Sequence, residues 1–111
     1  MAPIENVQIA ARLRGLLANQ GDFSSLAVRL HVHETSLRMS VDELSPYPTV
    51  EVIAAVIKEF AVDPHWLMTG DYDSALHRVA IEAHTAEIPA VVRDIVLRNG
   101  STPPHNLRIR S

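Results

Sequence analysis

Apolar residues recur along this chain with the period of a helix, and Gly, Pro or polar clusters repeatedly cut the runs short. Ile9, Leu13, Leu16 and Leu17 fall at i, i+4, i+7 and i+8 and line one face of a first helix. Asn6 stands where an N-cap is wanted, and Gly21 is the expected stop. Asp22 can cap a second helix, in which Leu26 and Leu30 lie one turn apart. The break His31-Val32-His33 separates it from a third helix expected over roughly 34–41. "DELSPYPT" reads as a loop, and Thr49 then caps a fourth helix with Val50, Ile53, Val56, Ile57 and Phe60 on one face. Asp63-Pro64 starts a short fifth helix that Gly70 ends, because Asp accepts from free N–H groups and Pro fits the first helical position. Leu76, Val79, Ala80 and Ala83 suggest a sixth helix, and Pro89 opens a seventh with Val92, Ile95 and Val96 on one face. The final "STPPHNLRIRS" is Pro-rich and polar, the composition of a tail. No segment alternates with period 2, and nothing repeats. The expected fold class is all-α.

Several chemistries fall away on composition. The chain has 111 residues, enough for one core, and no cysteine, so disulfide frameworks, thiolate metal sites and thiol catalysis are excluded. No apolar run approaches the length of a membrane span, and "MAPIENVQIAARLRG" has no basic segment followed by an apolar one. A cytoplasmic protein without a membrane is the expectation. No Gly-rich phosphate loop, nucleophile elbow or paired-carboxylate arrangement appears, so neither an enzyme nor a cofactor is expected. Net charge is −3, and residues 1–70 carry five basic groups against eight acidic ones. Nucleic-acid affinity rests chiefly on neutralising phosphates, and this balance supplies little for that.

Three segments resemble the lambda-repressor-like DNA-binding domains of the Cro/C1, xenobiotic-response-element type. "IAARLRGLLANQG" is similar to the family's first helix. "LAVRLHVHETSL" is similar to its Leu-Ala-x-x-Leu-Gly-Val-Ser-x-x-Thr-Ile core. "PTVEVIAAVIKEFAVDPHWLMTG" is similar to its fourth and fifth helices, with Val62, Pro64, Trp66, Leu67 and Gly70 at family spacing. The resemblance covers roughly residues 7–70. It implies a five-helix domain over 1–70 with a helix-turn-helix at about 22–41, to which the periodicity adds two C-terminal helices. The departures lie on the working face. Phe23-Ser24-Ser25 stands where the family often has a phosphate-fixing Gln, and His31 replaces the turn glycine, which adopts positive φ. Ser40-Val41-Asp42-Glu43 replaces a hydrophobic anchor and a following glycine.

The function so implied is transcription regulation, by a homodimer bound to double-stranded DNA. Arg38 can fork onto guanine O6 and N7, and Glu34 can accept from cytosine N4. Thr35 and His33 lie on the same outward face, and Ser24 and Ser25, at a helix N-terminus, can meet a phosphate. Two alternatives stay open: a protein-interaction module on a degenerate helix-turn-helix scaffold, favoured by the acidic balance, and an antitoxin-type regulator. The six histidines offer no metal site, since His31/His33 and His77/His84 come without a third ligand at suitable spacing. Trp66 and Phe60 are expected to be structural. Residues 71–111 are read as a C-terminal extension. Its Leu76, Val79, Ile88, Val92, Ile95 and Val96 would form an exposed apolar patch unless a second copy covered them, which makes this the expected dimer interface.

Overall fold

Four of the α-helices begin where a side chain accepts from the free N–H groups of the first turn, and the computed structural model, which describes residues 4–99, shows seven α-helices in all. They are α1 Asn6–Leu17, α2 Phe23–Leu30, α3 Glu34–Ser40, α4 Val50–Phe60, α5 Pro64–Thr69, α6 Ser74–Glu82 and α7 Ile88–Arg98, with one 3₁₀ turn, Thr85–Glu87, before α7. No strand occurs among the described residues. The expected tail over 101–111 lies outside them.

The caps read from sequence form where expected. Asp22 accepts from the Ser25 N–H at 2.8 Å, Thr49 from Val52 at 3.2 Å, and Asp63 from His65 and Trp66 at 3.1 Å each. Asn6 departs from expectation. Glu5 is the N-cap of α1 and contributes no side-chain bond, while Asn6 is the first helical residue and its buried Oδ1 has no partner. Nor does Gly21 stop α1. The helix ends at Leu17, and the chain turns through Asn19 at φ 66°, a left-handed conformation that Asn tolerates.

The core is a single cluster. Ile9, Leu13, Leu37, Ile53, Ile57 and Leu67 from α1, α3, α4 and α5 are at most 1 % exposed. The same cluster continues through Ala80, Ile88, Val92, Ile95 and Val96. α7 packs on both α4 and α5. Most of the apolar patch expected over residues 71–100 is therefore covered: Ile88, Val92, Ile95 and Val96 are at most 2 % exposed within one chain and Leu76 is half-buried, while Val79 stays 46 % exposed. Helical periodicity showed that these residues face something. The partner is α4–α5 of the same molecule, so this stripe gives no argument for a dimer. Phe60 and Trp66 are half-buried and pack on the core rather than filling it.

Polar ties fix the helices that carry the candidate site. Arg12 of α1 donates to the Leu67 carbonyl at 2.9 Å, and burial pushes its guanidinium pKa below the ordinary value against an opposing pull from Asp71. Arg14 donates to the Val41 carbonyl at 2.9 Å, just beyond the end of α3. Ser40, where the resembled family has its hydrophobic anchor, is 0 % exposed and fully engaged. Its hydroxyl donates to the Ser36 carbonyl at 2.8 Å and accepts from the Thr49 N–H at 3.2 Å, tying α3 to the cap of α4.

Candidate functional site

The sequence between α2 and α3 forces a sharp turn. His31 is the C-cap of α2 and adopts φ 58°, ψ 43°, the left-handed region in which a side chain is strained and glycine is not. Val32 N–H returns to the Ala27 carbonyl at 3.0 Å, and three residues separate the end of α2 from the start of α3. Leu37 anchors α3 in the core at 0 % exposure, which turns His33, Thr35, Arg38 and Met39 outward. The outward set expected from sequence is thus the set presented, with Glu34 more covered than its neighbours.

The structure joins three of the expected site residues, Ser24, Glu34 and Arg38, to one another. Arg38 donates from Nε to Glu34 Oε2 at 2.8 Å, and its Nη2 lies 2.7 Å from the same oxygen. Ser24 Oγ, on α2, donates to Glu34 Oε1 at 3.0 Å. The Arg38 guanidinium also stacks 4.6 Å from the centre of the Phe23 ring. Ser25 is bound differently, through its N–H to the Asp22 cap. His33 is the N-cap of α3 without a side-chain capping bond, and Thr35 stands exposed beside it.

This arrangement sets the electrostatics. Hydrogen bonds from Arg38 and then Ser24 hold the Glu34 carboxyl below its ordinary pKa, and the Ser25 N–H and hydroxyl do the same for Asp22. Both are anionic at neutral pH, and they flank the start of α2. Asp42 adds a third carboxylate, which accepts from the N–H groups of Leu44 and Ser45 at 3.1 and 2.6 Å and shapes the loop after α3. Against these stand Arg38 and Arg14, the latter turned toward backbone carbonyls. Between α1, α2 and α3 lies an open groove of about 490 Å³ with Leu17, Phe23, Leu26 and Val41 on its walls.

Sequence reasoning missed Phe23 and Arg14 as parts of this site. Phe23 carried a faint signal, an aromatic at the first position of a helix, where nothing in the helical stripe requires it. Arg14 gave none, because its carbonyl partner is 27 residues away. His77 also has a structural use: its Nε2 donates to the Ala61 carbonyl at 2.8 Å, so its Nδ1 accepts from the Tyr72 hydroxyl at 2.8 Å in the neutral ring. Among the described residues no three His, Asp or Glu side chains converge as metal ligands, and no helix is long and apolar enough to cross a membrane. Comparison with protein families, with curated proteins and with solved structures finds no match to this chain.

Proposed function

We propose that this protein is a sequence-reading DNA-binding regulator, acting as a homodimer through α2 and α3 as the helix-turn-helix of a lambda-repressor-like domain. The observation that carries the proposal is the left-handed His31 between two short helices. It angles α3 away from α2 so that Leu37 is buried while Thr35, Arg38 and Met39 face outward. An α-helix so presented fits the major groove, and Arg38 is the side chain able to fork onto guanine. Its pair with Glu34 is an exposed i,i+4 contact, weaker than a bidentate guanine contact, so DNA can displace it. One α3 with one arginine reads few base pairs. Two copies on half-sites one helical turn apart supply the missing affinity, which is the reason for proposing a dimer.

A second reading has its own support. Asp22 and Glu34 place two carboxylates where a phosphate-binding domain needs donors, which favours a protein partner over DNA. Selection from a random duplex pool at low salt separates the two. The DNA reading expects enrichment of a sequence with two related half-sites, each containing guanine. Recovery of no enriched sequence overturns it and leaves the protein-interaction module.

A further inference from the structure

A different groove, of about 530 Å³, opens between the end of α2, the outer side of α4 and the start of α7. Its floor is apolar and made of small or compact residues, among them Val32, Ala54, Ala55 and Pro89. Ala54 and Ala55 on α4 leave the recess that larger side chains would fill. The volume is that of sites that hold drug-sized molecules, far below what a duplex or a folded partner would occupy.

The rim has the opposite charge character from the rest of the chain. Arg29, Lys58 and Arg93 stand around it with Glu51 and Glu59. Glu59 is taken up by Arg29, whose Nε lies 2.7 Å from its Oε2. Lys58 donates to the Ile81 and Ala83 carbonyls at the end of α6, so no carboxylate cancels its charge. Among the described residues Arg93 has no ion-pair partner. After these pairings two cations face one carboxylate, Glu51, in a chain whose net charge is −3. An apolar floor with uncancelled cations at its edge selects a carboxylate joined to an apolar body. A cationic amphiphile would meet Lys58 and Arg93 and be repelled.

We propose that this groove is a binding site for small amphipathic carboxylates, with Arg93 as the principal anion contact and the Val32, Ala54, Ala55 and Pro89 surface as the seat of the apolar body. The groove includes His31 and Val32 of the turn before α3. A bound carboxylate therefore touches the segment that sets the angle of α3. The inference does not rest on DNA binding, and its test contains no DNA.

The experiment is an amide NMR titration of the full chain with octanoate and phenylacetate, with octylamine and octanol as head-group controls. Saturable shifts are expected at Val32, Ala54, Ala55 and Arg93, with Kd in the low millimolar range or tighter, about 4 kcal/mol or more of binding free energy. Octylamine and octanol should bind at least tenfold more weakly. Arg93→Glu should weaken octanoate at least tenfold, whereas Arg78→Glu, exposed on α6 and outside the groove, should leave it unchanged. The proposal is overturned if neither carboxylate gives saturable shifts by about 10 mM. Equal affinity for octylamine, or octanoate binding that survives Arg93→Glu, overturns it as well.

Discussion

The Asp63 carboxylate accepts the backbone N–H of Asp73 at 2.7 Å. The same side chain caps α5 through His65 and Trp66, so one residue, 4 % exposed, fixes the start of α5 and the approach to α6 together. Of its three charge-assisted bonds, two cap α5 and the third, to Asp73, joins the first five helices to the last two. Asp63→Ala leaves three N–H groups without their acceptor and should cost about 2–4 kcal/mol by urea denaturation. Asp63→Asn retains one acceptor oxygen and should cost less. Equal midpoints for all three proteins would show that the cap does not hold this junction.

Removing the α7 contact should be as damaging as opening the centre of the domain. Ile95 is 1 % exposed in the cluster shared with α4 and α5. Ile95→Ala should lose about 2–5 kcal/mol, while Leu97→Ala, at 60 % exposure on the same helix, should stay within about 0.5 kcal/mol. A chain ending at Glu87 should show no cooperative unfolding. Wild-type stability in that truncated chain would make α7 an appendage.

Acid should loosen the α2–α3 face before the core. The Glu34 carboxyl is held below its ordinary value of 4.5 by Arg38 and Ser24. A carboxyl whose folded pKa is depressed contributes stability in full above its unfolded value. That contribution fades as pH falls through the folded value, so the loss belongs below pH 4.5. Carbon-detected titration of Glu34 should give a lowered pKa in the wild type and a rise toward 4.5 in Arg38→Ala, with a smaller rise in Ser24→Ala. An unchanged Glu34 titration in Arg38→Ala would mean that the pair does not persist in solution.

What could be read from sequence divides by range. The caps at Asp22, Thr49 and Asp63 are local, set by residues within one turn, whereas the positive φ at His31 and the outward face of α3 followed from the resemblance. The burial of α7 was not legible, because an apolar stripe records that a face is covered without recording by what. Ser40 looked like a lost anchor. Its two hydrogen bonds, one of them to Thr49 across the loop, replace packing with a polar tie that only the folded chain displays. In the candidate site the residue types followed from the resemblance. The Ser24–Glu34–Arg38 chain and the Phe23 stack depend on how α2 meets α3, which spacing alone does not give.

The claim that Arg38 reads DNA is tested most directly by fluorescence anisotropy on the duplex recovered by selection, at fixed low salt. The comparison is wild type against Arg38→Ala and Glu34→Gln, with Arg98→Ala as a control away from the face. Arg38→Ala should lose ten- to hundredfold in affinity, about one bidentate guanine contact. Glu34→Gln, which removes an anion and frees Arg38, should bind more tightly, and Arg98→Ala should show no change. Equal affinity of wild type and Arg38→Ala would contradict the claim and take α3 out of the recognition mechanism.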